Sequence, residues 1–257
     1  MYNKLVLANI EREKAGISYW CGEEDKKLLN SMLSEINEQF GLNLQYLAEL
    51  DAFYVEGSGE IISHYIHRFM SESVKGYLLY QMVTDNIKDC DKLILELYMG
   101  FKSSSEYISA PNIPAPAHIY VRYDNAISRL KPKRLKNTLI QLAHNPRDVV
   151  YLPLSMKMLA SWKIPEIRDL LIVYSSENND IKEHDVGIHN SEIKYFPSFA
   201  FIKRQLRFSG IQGLKYYPSN EIIDIITGYT FDKDSDIAIA AKKTLKALKR
   251  AMKYDTR

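Results

Sequence analysis

Residues 207–250, RFSGIQGLKYYPSNEIIDIITGYTFDKDSDIAIAAKKTLKALKR, decide how this chain is read. They read as helix, tight polar turn, helix. Pro218-Ser219-Asn220-Glu221 is a helix-start signal. In the following turn, Asp232 and Asp234 are placed to accept from backbone amides at the start of the last helix, where the helix dipole favours negative charge. Ala238, Ala240 and Ala241 keep that helix narrow, so its predecessor can approach closely. The helix is expected to run from Ser235 to about Met252, and its closing Lys and Arg residues suit a C-terminus. A helix pair of this kind has one apolar face that it cannot bury alone, so the rest of the chain is expected to supply stacked neighbours.

An internal echo supports that expectation. Shifted by 86 positions, residues 139–162 align without gaps on 225–248: Leu139-Ile140 meets Ile225-Ile226, Tyr151 meets Ile237, Leu159 meets Leu245 and Trp162 meets Leu248. Eighty-six is two periods of about 43, inside the roughly 40–47 residues of HEAT and armadillo units. Asp232, Asp234, Ile237, Ala240, Ala241 and Leu245 match the Asp and small-residue pattern of such units, and the chain resembles the HEAT-like helical-repeat family over 207–250 and, less closely, over 133–174. The resemblance implies an all-α fold, an α-α superhelix of HEAT/armadillo-like repeats, with a degenerate N-terminal part. Pro153 and the polar insertion at 175–195 depart from the pattern.

Outward from this pair, periodicity predicts helices at 3–14, 23–40, 42–55, 60–70, 72–84, from Asp89 or Asp91 to Phe101, 119–130, 133–144, 149–162, 164–174 and 196–217. Ser71 is expected to cap the helix at 72, and Asn145-Pro146-Arg147-Asp148 reads as a turn. Pro153 either opens a helix or kinks one. Residues 102–117, with three serines and Pro111, Pro114 and Pro116, cannot continue a helix. They divide an acidic N-terminal helical region, 1–101, from a basic repeat region, 118–257, into which 175–195 inserts as a long exposed loop.

Composition excludes several classes. With 46% hydrophobic and 26% charged residues the chain is an ordinary globular one. No apolar run approaches a membrane span, and the first residues lack a secretory pattern, so the expectation is a cytoplasmic protein away from membranes. Cys21 and Cys90 stand alone, neither a disulfide framework nor a zinc site, and are expected to be buried thiols. Gly57-Ser58-Gly59 lacks the Lys that a phosphate loop requires and reads as a turn. His64 with His67, and His184 with Asp185 and His189, lack the further ligands a metal site needs. No cofactor, metal or catalytic residue is predicted.

Net charge is +2, yet residues 1–116 hold 10 Lys+Arg and 17 Asp+Glu while 117–257 hold 24 and 15. The basic residues expected to meet a partner are Arg122, Lys131, Lys133, Arg134, Arg147, Arg168, Arg204 and Arg207. Two readings follow. The first is a non-enzymatic module that binds a protein partner through a concave helical surface, in one version an inhibitory or immunity-type protein whose acidic half masks a basic toxin. The second is a nucleic-acid-binding protein. DNA glycosylases built of HEAT-like units resemble this layout, and Trp162 and Asp169 with Arg147, Arg168, Arg204 and Arg207 are the residues that would serve; the alignment of Trp162 with Leu248 instead gives Trp162 a packing role. Trp20 is expected to cap the N-terminal end of the core.

Overall fold

The structure, a computed structural model, describes residues 4–15, 22–52, 55–102, 117–130, 133–186 and 199–255; Lys131, Trp20, Cys21, His189 and the Ser/Pro stretch 103–116 lie outside them. Every regular element among the described residues is helical, and they form two compact units.

The first unit holds α1 (Lys4–Lys14), α2 (Glu23–Phe40), α3 (Leu47–Ala52), α4 (Ser58–Tyr65), α5 (Glu72–Thr84), α6 (Cys90–Lys102) and α7 (Ala117–Leu130). Leu29, Met32, Leu33 and Ile36 recur at helical spacing on α2 and are its buried face; Gly41, at φ 66°, ends the helix in a left-handed conformation. Consecutive helices α4–α5 and α6–α7 pack together, and so do alternate ones: α2 on α4, α3 on α5, α5 on α7. The sequence reading puts 118–130 with the basic C-terminal region. In the structure Tyr123 of α7 instead joins Tyr98 and Phe101 of α6, with ring centroids 5.3 and 5.5 Å apart, in the core of the first unit.

The predicted helix at 42–55 shortens to α3 because the Asn37 side chain donates to Leu44 O at 2.9 Å and accepts from Leu44 N at 2.7 Å, holding that backbone outside a helix. Carboxylates then cap helix starts from a distance. Glu13 accepts from Leu47 N and Ala48 N, Asp25 from Met70 N and Ser71 N, and Asp85 from Gly57 N and Gly59 N. A helix start carries unpaired amides and a partial positive charge, so each contact fills both needs. Ser71 caps α5 as expected, accepting from Val74 N at 3.3 Å. Cys90 is buried, and desolvation pushes its thiol up to about 11.

The second unit holds α8 (Lys136–Ala143), α9 (Pro146–Tyr151), α10 (Pro153–Ser161), α11 (Pro165–Ser175), α12 (Phe199–Leu214), α13 (Asn220–Tyr229) and α14 (Ser235–Asp255). Residues 145–148 are a helix start rather than a plain turn: Asn145 accepts from Arg147 N at 3.0 Å with Pro146 in the first turn of α9. Leu152, at φ −118° and ψ 51°, breaks the helix expected at 149–162, and Pro153 opens α10, where its missing amide costs nothing.

Pairs α8–α10, α11–α12 and α13–α14 are each in contact, and α10 packs on α12, α12 on α14, and α8 on α11. The spacing of the pairs is uneven: α8 to α11 is 29 residues from start to start, α11 to α13 is 55. Burial also corrects the internal alignment. Leu152, Ser155, Met156 and Leu159 correspond to buried Ile237, Ala240, Ala241 and Thr244, a shift of 85. One residue of slip turns a helix by about 100°, so Trp162 does not match Leu248. It is half-buried at the end of α10.

The predicted exposed loop at 175–195 is in part folded inward: Asn179 and Val186 are buried, and Asn179 O accepts from Lys203 Nζ at 3.2 Å.

Candidate anion-binding surface

The turn from α13 to α14 is an ion-pair knot. Arg207 on α12 donates from Nη2 to Asp232 Oδ2 at 2.5 Å and from Nε to Ser175 O at 3.3 Å, beside the Tyr229 ring. Arg204, one turn earlier, donates from Nε to Asp234 Oδ2 at 2.5 Å and from Nη2 to Asp236. Asp232 and Asp234 accept from the amides of Asp234, Asp236 and Ile237, as the sequence predicts. The hydrogen bond from Arg204 outweighs desolvation and holds the Asp234 carboxyl at about 2. For Asp232, burial is the largest single influence and raises the pKa, but the hydrogen bonds from Arg207 and from Asp234 N, with the Arg207 charge, together outweigh it and the net shift is downward.

These contacts account for several of the basic residues singled out from sequence. Arg204 and Arg207 come together in the knot and are neutralised there. Arg168 lies 3.1 Å from Asp169 and 3.5 Å from Glu221. Arg147 is buried near the Tyr151 ring, and Arg122 in the first unit lies over Tyr77 at 3.6 Å. Lys133 and Arg134 are exposed in a short 3-10 turn, and Lys131 lies outside the described residues. His64 and His67 are both exposed, and His184 Nε2 lies 3.2 Å from Asp185. Among the described residues no three His, Cys, Asp or Glu side chains gather as a metal site, and no helix is long and apolar enough to cross a membrane.

A row of exposed cations lies on α14, which the sequence reading treats only as a helix end. Ile237, Ala241, Thr244 and Leu248 form the buried stripe. Lys242, Lys246, Lys249, Arg250 and Lys253 occupy the opposite face, where with Leu245 they line a shallow concavity of about 380 Å³. Lys242, Lys243, Lys246, Lys249 and Arg250 are all exposed, and among the described residues none lies within ion-pair distance of a carboxylate. From Lys242 to Arg250 the row spans about 12 Å at roughly 1.5 Å per residue. Lys242–Lys246 and Lys246–Arg250 are like-charge pairs four apart, each costing about 0.2–0.5 kcal/mol. The helix dipole offsets this only within the last turn, and Lys242 lies more than three turns from the end. The signal that could have found the row is its spacing, 242, 246, 249, 250 and 253, one face of a helix.

Beside the row, between α12 and α14, lies a second groove of about 290 Å³, lined by Gln205, Phe208 and Gln212 from one helix and Ile239, Ala240 and Lys243 from the other. Comparison with protein-family models, with curated proteins and with solved structures gives no match for this chain.

Proposed function

We propose that this chain is a non-enzymatic helical binding module that holds nucleic acid on the cationic face of α14. The observation that carries this reading is that Lys242, Lys243, Lys246, Lys249 and Arg250 lie exposed along one helix with no carboxylate within ion-pair distance among the described residues, kept at an electrostatic cost that the fold itself does not repay. Phosphates spaced about 3.4 Å along a strand are met by a row of lysines and one arginine about 12 Å long, and release of their counterions drives the association. Beneath the row, the packing of alternate helices, α10 on α12 and α12 on α14, supports a HEAT-like stack of pairs in the second unit; α3 on α5 and α5 on α7 support the same for a degenerate set in the first. The test is fluorescence anisotropy with labelled 30-nucleotide single-stranded and duplex DNA at low salt. Binding is expected, and the triple variant K242E/K246E/K249E should lose it. No binding by the wild-type protein at low salt would end the reading.

A protein partner, including an inhibitory or immunity-type role, is the second reading. It is favoured by Phe231, 87% exposed at the turn before α14, and Val173, 51% exposed on α11. The version in which the acidic half masks a basic toxin is weakened by Glu13, Asp25 and Asp85, whose carboxylates are engaged with backbone amides. A partner lost with Phe231→Glu but retained by the triple lysine variant would favour this reading.

A further inference from the structure

Resting on the nucleic-acid reading, we infer that the groove between α12 and α14 receives an unstacked nucleobase, so the nucleic acid held on α14 is single-stranded. Three features of the groove point there. Phe208 gives an aromatic surface, and every base has a π-face to lay on one. Gln205 and Gln212 bring carboxamides, each with donors and an acceptor suited to a base edge. Lys243 lines the groove, and Lys246, three residues further along the same helix and so its neighbour on the helix surface, lines the cationic concavity; the two surfaces therefore lie side by side, one for a base and one for its phosphates.

Size favours a single ring over a double helix. About 290 Å³ is at the lower end of small-ligand cavities, room for one planar group. Ala240, a small residue, is part of the lining. At one end Arg204 and Asp236 are bonded to each other, so they add neither a free charge to attract a carboxylate ligand nor one to repel a neutral base. In a duplex the bases are paired and stacked, and none can enter without the cost of unpairing.

The test compares three labelled probes of equal length: 12-nucleotide oligothymidylate, a 12-mer of the same backbone with every base removed, and a 12-base-pair duplex. The wild-type protein should bind oligothymidylate at least about fivefold more tightly than the abasic strand, the smallest effect expected of one stacked base. Phe208→Leu should bring the two together while leaving the salt dependence of binding unchanged. Should that variant fail to fold, Gln212→Leu, on a half-exposed position, tests the same groove and should reduce the same ratio. Equal affinity for oligothymidylate and the abasic strand, or a ratio that neither variant alters, would overturn the inference while leaving the cationic face as a phosphate-binding surface. Failure of all three probes to bind would remove both.

Discussion

Arg207 and Asp232 meet at 2.5 Å with about nine-tenths of each side chain out of water, and this pair, with Arg204 on Asp234 and Asp236, ties α12 to the turn that starts α14. Its loss should be felt through the whole C-terminal pair. Arg207→Met leaves Asp232 without its cation and should cost about 3 kcal/mol, the lower end for breaking a buried pair, since both groups keep some contact with solvent. The double variant R207M/D232N removes the stranded charge but keeps an acceptor for Asp234 N, and should recover most of the loss in chemical denaturation. Equal destabilisation of the single and double variants would show that the charge pair is not what the site depends on.

The same knot sets an acid limit. Asp234 is held at about 2 against an ordinary 3.8, and Asp232 is also lowered. A carboxylate whose folded pKa is depressed adds stability that is fully present above its unfolded value and fades as the pH falls through the folded one. The denaturation midpoint should therefore drop between about pH 4 and pH 2, and Asp234→Asn should flatten that drop while lowering stability at pH 7. A midpoint with the same acid slope in wild type and variant would contradict this.

Gly210 tests close packing. A Cβ there would lie 2.7 Å from Leu171 O and Ser175 N, both backbone atoms that cannot turn aside. Helix propensity alone predicts that Gly210→Ala stabilises by about 1 kcal/mol. The contact predicts the opposite sign, a loss on the order of 1–3 kcal/mol as α11 and α12 are pushed apart. Thermal or chemical denaturation distinguishes the two directly.

Ala241, fully buried on α14, makes a parallel case: Ala241→Leu should overfill its site and cost about 1–3 kcal/mol. An unchanged unfolding midpoint would place that position away from its neighbours.

Much of the helical content was legible because α2, α11, α13 and α14 carry apolar periods, and because recognisable caps such as Ser71 and Ser219 mark helix starts. The harder boundaries were set by long-range contacts that no local window contains. Asn37 reaches Leu44, and Tyr123 belongs to a cluster with Tyr98 and Phe101 across the Pro-rich stretch. The repeat register slipped for a related reason: Leu, Ile and Ala recur densely enough that shifts of 85 and 86 both align apolar residues, and only burial separates them. Among the basic residues, charge alone did not show which would find a carboxylate. Arg204 and Arg207 looked available, but carboxylates 25 to 32 positions away engage them. On α14, by contrast, Lys242, Lys246, Lys249, Arg250 and Lys253 are gathered on one exposed helix face.

The central claim is that Lys242, Lys243, Lys246, Lys249 and Arg250 together bind nucleic-acid phosphates. The most direct measurement is the dependence of affinity on salt concentration for a labelled single strand, wild type against K242E/K246E/K249E. Five neutralised phosphates predict a slope of about −3.5 in a plot of log K against log salt for the wild-type protein, with binding by the variant too weak to measure or a slope reduced to about −1.5. A wild-type slope near zero, or one that the three substitutions leave unchanged, would contradict the account.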